Sequence, residues 1–148
     1  MKLIEALNEL ASHAGIAQIV PEKTGCVTLL FDKEHEVSFV PEEDGCGVCF
    51  QCEVGDASQL GPDGCRALLE ASYSETDGAA FAIHRALEKV ILWKRFGEFY
   101  TCAEFEKAVN GFLGVAIAWK ALFASGDFTA RTETPAAPHG FSDYFLQV

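Results

Sequence analysis

The segment running from Thr101 to Phe123 reads as a helix that must be covered on several sides. Thr101 followed by Glu104 makes a capping box, and Tyr100 is placed to pack on Phe105 as a hydrophobic staple. Beyond this start, Phe105, Val109, Phe112, Ala116, Trp119 and Phe123 recur at alternating steps of four and three, the spacing of one helical face. From Leu113 onward, Val115, Ile117, Ala118 and Leu122 extend the apolar character around the helix. Such a helix needs packing partners on more than one side. Its most apolar run, Phe112 to Trp119, is too short to span a bilayer. The expected cover is therefore protein, with no membrane insertion.

A sheet supplies one candidate cover. Cys26 to Asp32 reads as a strand with Val27, Leu29 and Phe31 on one face. Lys33 to His35 make a turn, and Glu36 to Val40 return with Val37 and Phe39 aligned. The next segment, GCGVCFQCEV from Gly45 to Val54, holds three cysteines spaced C-x-x-C-x-x-C and admits two readings. With period two, Cys46, Val48, Phe50, Cys52 and Val54 share one face, and Gly47, Cys49, Gln51 and Glu53 share the other. On a strand, Cys46 and Cys52 stand roughly 20 Å apart with Cys49 pointing away, so no single ion collects all three. As a loop, the run would need a fourth cysteine where Asp56 stands to hold an iron–sulfur cluster. A zinc site could recruit Cys65, Cys102 or His84, but none belongs to a second paired motif. The strand reading prevails, giving an antiparallel meander of three strands.

Helices and a second hairpin complete the pattern. Leu3, Leu7, Leu10 and Ala14, with Ile4 and Ala11 beside them, form a helical stripe that Gly15 stops. Pro62 and Asp63 open a second helix, with Cys65, Leu68, Leu69 and Ser72 on one side and Tyr73 at its end. Asp77 and Gly78 turn the chain into a hairpin, Ala79 to His84 and Lys89 to Lys94. Val90 to Trp93 is apolar on both faces, as in a central strand. The expected fold is α+β, an antiparallel sheet with helices in the order α-β-β-β-α-β-β-α. Residues 1–124 form its single domain. Residues 125–148 read as a Pro-containing linker and an apolar tail, with Phe141, Tyr144, Phe145, Leu146 and Val148. That tail either packs on its own domain as extra core or lies in a partner-binding groove.

The charge narrows the partners. The chain of 148 residues carries 22 acidic and 11 basic side chains, a net charge of −11, which opposes binding to nucleic acid or anionic lipid. Glu5, Asn8 and Glu9 interrupt any secretory h-region after Met1, so the six cysteines are expected as free thiols in a cytoplasm. There is no Gly-rich phosphate loop, no nucleophile elbow and no paired-histidine motif. His13, His35, His84 and His139 are scattered over unrelated elements. Nothing in the sequence assembles a catalytic group, a metal site or a cofactor site.

The ordered elements carry a family resemblance. GCVTLLFD followed by EVSFV, then LLEAS, TDGAAFAI and EKVILWKRF, and a capped last helix containing Trp119, together resemble the class I type III secretion chaperones, the Tir chaperone (CesT) family. The likeness runs from about Leu3 to Phe123, with Ser72 where the family's second helix usually has asparagine. It implies a cytoplasmic homodimer without catalysis that holds an extended N-terminal segment of a secreted effector. It also implies a dimer contact at Leu68, Leu69, Ser72 and Tyr73, and effector-binding grooves at Leu3, Leu7, Leu29, Phe39 and Phe50, each of which is also a core candidate. The alternatives are a regulatory or adaptor protein on the same fold, and a thiol or metal enzyme using Cys46 and Cys49.

Overall fold

The computed structural model describes residues 2–13, 15 and 19–128. In chain order they form α1 (Leu3–His13), β1 (Val27–Phe31), β2 (His35–Pro41), β3 (Val48–Asp56), α2 (Pro62–Ser74), β4 (Ala80–His84), β5 (Lys89–Phe96) and α3 (Cys102–Ser125), with a 3₁₀ turn at Ala57–Gln59. All strand pairs are antiparallel, and the sheet order is β1-β2-β3-β5-β4. This is the expected α+β arrangement. The third strand becomes central because the second hairpin docks beside it. β5 lies between β3 and β4, which explains why Val90 and Leu92 are fully buried.

Local sequence accounts for most element boundaries. Asp32 and Lys33 adopt positive φ in the tight turn between β1 and β2, and β2 then starts at His35. In β1, Val27, Leu29 and Phe31 face the core while Thr28 and Leu30 face out. The capping box of α3 forms in full. The Thr101 hydroxyl accepts from the Glu104 amide, and the Glu104 carboxylate accepts from the amides of Thr101 and Tyr100. Gly126, at φ 71°, ends the helix in the left-handed conformation that favours glycine.

α3 lies across β3, and α1 packs against α3. By length and apolarity α3 could cross a membrane. Here Phe105, Val109, Phe112, Leu113, Ala116, Trp119 and Phe123 are buried in the one core shared with the sheet and α1. Leu7, Leu10 and Ala11 of α1 enter the same core as the N-terminal stripe predicts; Ala14 lies outside the described residues.

Several local expectations change on folding. The staple on Phe105 comes from Phe99, whose ring centroid is 5.2 Å away, while Tyr100 is 75% exposed. Phe99 reaches Phe105 because both rings join a cluster around Phe50 and Phe96. Cys46 does not sit on the strand. Gly45 has φ +71° and the Asp44 carboxylate accepts from the Cys46 amide at 2.9 Å, so the chain is still turning there. Cys49 lies on the expected face, but that face is covered at its position and the side chain is buried. The packing also continues past α3, since Phe128 meets Phe123 edge-on at 5.0 Å. The apolar tail expected beyond it, in residues 129–148, lies outside the described residues.

One close approach fixes where α3 ends on the sheet. β3 carries a bulge against β5 between Glu53 and Gly55, and a Cβ built at Gly55 would lie 2.2 Å from the Phe123 ring. Gly55→Ala should therefore push α3 off the bulge and lower unfolding free energy by about 1–3 kcal/mol in urea titrations. A loss below about 0.5 kcal/mol would mean that the helix does not depend on this approach.

Candidate functional site

The four residues expected at a dimer contact are brought to one place, where they take different roles. α2 turns Ala67, Leu68 and Ala71 inward, so Leu68 is core. Ser72 ties the helix to β4: its hydroxyl donates to the Leu68 carbonyl at 2.8 Å and accepts from the Phe81 amide at 3.4 Å. Leu69 and Tyr73 face outward, 76% and 94% exposed. Beside them the edge strand β4 contributes Phe81, Ala82 and Ile83 to a slot of about 340 Å³ whose walls are mostly apolar. Phe81 is braced from behind by Trp119, centroids 4.7 Å apart, and Ile83 is 53% exposed. Sequence reasoning did not select Phe81 and Ile83; their spacing of two on a strand with few charges was the available signal.

A second apolar cleft, of about 270 Å³, opens where α1 meets the start of β3. Leu3, Ile4, Pro41, Val48 and Phe99 line it, together with several glycines of the surrounding turns. Of the five residues expected in grooves, Leu3 is at this cleft. Leu7, Phe39 and Phe50 have no exposed surface, and Leu29 is 8% exposed. These four form the floor beneath α1 and the first three strands. Phe50 stands at its centre, with Phe39 at 4.8 Å, Phe96 at 4.4 Å, and Phe105 and Phe112 each at 5.7 Å.

This fold has known counterparts. The model of the Tir chaperone protein (CesT) family matches residues 5–120. The chain belongs to that family. The solved ExsC–ExsE complex contains a chain similar to this one at TM-score 0.70 and 22% identity, covering 83% of this chain and 97% of its own. The HopA1–SchA chaperone–effector complex matches at TM-score 0.65 and 9% identity, over 79% and 91%. The ExoU–SpcU complex of the Pseudomonas aeruginosa type III secretion system matches at 0.60 and 15%, over 84% and 96%. At such identities these likenesses speak to the fold. A comparison with curated proteins found no match.

In this CesT-family chain the thiols are spread over separate environments. Cys46 is exposed in its turn, while Cys49 and Cys52 are buried on opposite faces of β3. Among the described residues no three metal-ligating side chains converge. Burial pushes the Cys49 thiol up, and pushes Cys52 up to about 11, so both stay protonated and weakly nucleophilic at neutral pH. His35, buried at the start of β2, is pulled below the usual histidine range by burial and then by the Lys120 ammonium. Lys120 Nζ lies 3.2 Å from His35 Nδ1, an arrangement suited to a neutral imidazole accepting there.

The Cys52 environment has a consequence for stability. An unfolded chain ionises this thiol near 9 and the folded chain near 11. The stabilisation is thus fully present below pH 9 and is lost as pH rises towards 11. Relative to Cys52→Ala, the wild type should lose about 2 kcal/mol between these limits, read from urea unfolding at each pH. An unchanged difference between the two proteins would show the thiol to be solvated.

Proposed function

We propose that this chain is a cytoplasmic secretion chaperone that works as a homodimer. It holds an extended N-terminal segment of a type III effector and keeps it competent for export, with no chemical step. The observation that carries this reading is a CesT-family fold whose α2 and β4 expose a joined apolar face, Leu69, Tyr73 and Ile83. A small domain gains by covering such a face, and a second copy presents the same face in return. Ser72 joins the helix to the edge strand beneath it by accepting from the Phe81 amide.

The client surface in this proposal is the cleft at Leu3, with Ile4, Val48 and Phe99 as its apolar contacts. Leu7, Leu29, Phe39 and Phe50 contribute by keeping α1 and the first three strands in place as its walls. Among the described residues β1 is an edge strand of the sheet, where an extended peptide can add while its side chains reach apolar pockets. The HopA1–SchA pair, a structural neighbour solved as a chaperone–effector complex, supports an effector as the client. The net charge of −11 steers basic segments towards the surface and repels nucleic acid.

Two measurements test the reading. Light scattering of the wild type at micromolar concentration should give the mass of a dimer, and Leu69→Asp, which places a charge in the contact, should give monomer with its circular dichroism retained. A stable wild-type monomer would remove the dimer. Affinity purification from the native cell, followed by mass spectrometry, should recover a protein with a disordered, secreted-type N-terminus; recovery of none would remove the client role.

A further inference from the structure

The end of α3 delivers the rest of the chain to α2. Gly126 turns the chain out of the helix, and Asp127 and Phe128 then border a hollow on one flank of α2. A Cβ built at Gly64 would stand 3.8 Å from the Phe128 ring. Residues 129–148 follow, outside the described residues. The exposed apolar face lies over the same helix. Asp63 and Glu70 mark the Phe128 flank of α2, Cys65 and Ser72 the flank that lines the slot, and Leu69 and Tyr73 the crest between them. Crossing that crest means passing a helix about 10 Å wide.

We propose that residues 141–148 lie over the α2–β4 face of their own chain and compete there with a second copy. The inference rests on the reading of that face as a self-association surface, and it gives the surface a regulator. Length decides between the two apolar surfaces. Residues 129–140 span at most about 40 Å when fully extended. α3 has 24 residues and carries the chain about 36 Å from its start, which adjoins Phe99 and the Leu3 cleft. That cleft is at the limit of the linker, whereas the crest of α2 is a few residues away. The chemistry agrees. With period two, Tyr144, Leu146 and Val148 share one side of the segment, three apolar groups for a mostly apolar slot of about 340 Å³. β4 is an edge strand among the described residues. Its Phe81 amide donates outwards to the Ser72 hydroxyl, so alternation turns the Ile83 backbone outwards too, where an added strand can pair with it. A segment on a short tether acts at about millimolar effective concentration. A weak contact within the chain therefore holds the face until a second copy displaces it.

The test uses the full chain. Tyr144→Ser combined with Leu146→Ser should lower the dimer dissociation constant about tenfold in sedimentation experiments. Phe145→Ser, on the other side of the segment, should change it less than about threefold. Serine adds no charge, so the acidic chain gains no extra self-repulsion. Tyr144→benzoylphenylalanine, irradiated at a concentration where the chain is monomeric, should attach to α2 or β4 of the same chain. Attachment to the Leu3 cleft, or only between chains, would overturn the proposal. A lower melting temperature with no tighter dimer would make these residues core of their own domain and would overturn it equally. The two readings fail separately. A dimer constant untouched by the double variant sinks the regulator and leaves the dimer, while a chain that stays monomeric in every variant, yet cross-links to α2 or β4, sinks the dimer and leaves the contact.

Discussion

The structure depends on the contact between α3 and β3 through Phe50. That ring touches Phe39 on the neighbouring strand, Phe96 on the other, and Phe105 and Phe112 on the helix above. Edge-on and tilted geometries dominate, which is how aromatic rings pack when each also buries its apolar area. Removing a buried phenylalanine from such a cluster costs about 3–5 kcal/mol, a large share of a small domain's stability. Everything else is arranged around this contact. α1 covers the helix where the sheet cannot, and the capping box sets the point from which α3 starts across β3.

A core gathered so strongly on one line leaves other surfaces unfinished. α2 packs on the sheet margin through Ala67, Leu68 and Ala71, and its far side with Leu69 and Tyr73 remains uncovered. The α1 cleft arises in the same way, where turns leave α1. Both surfaces are apolar, and in the proposed reading the first receives a second copy and the second a client.

The cysteine-rich stretch illustrates how far periodicity carries. The alternation from Val48 to Val54 predicted a strand with Phe50 and Cys52 inward, and the strand is there. Extending the same alternation to Cys46 failed, because Gly45 and Asp44 form a turn whose geometry overrides the apolar count. The staple rule selects Tyr100, the residue before the cap, and the aromatic cluster across the sheet decided instead for Phe99. Among the groove residues, Leu7, Phe39 and Phe50 could be core or contact by pattern alone. Only packing shows them to be fully enclosed.

The sequence by itself determined the order of the elements, the strand alternations, the ends of α3 and the acidic charge, since each depends on residues close together along the chain. The tertiary structure decided which apolar positions remain in contact with water. Leu68 and Leu69 are adjacent and chemically alike, yet one is 5% exposed and the other 76%. It also decided where α3 ends on the sheet, because the bulge between Glu53 and Gly55 and the Phe123 ring that sits on it come from segments far apart in the chain. Local preference sets the pieces of a fold, while the gaps between them follow from how distant pieces meet.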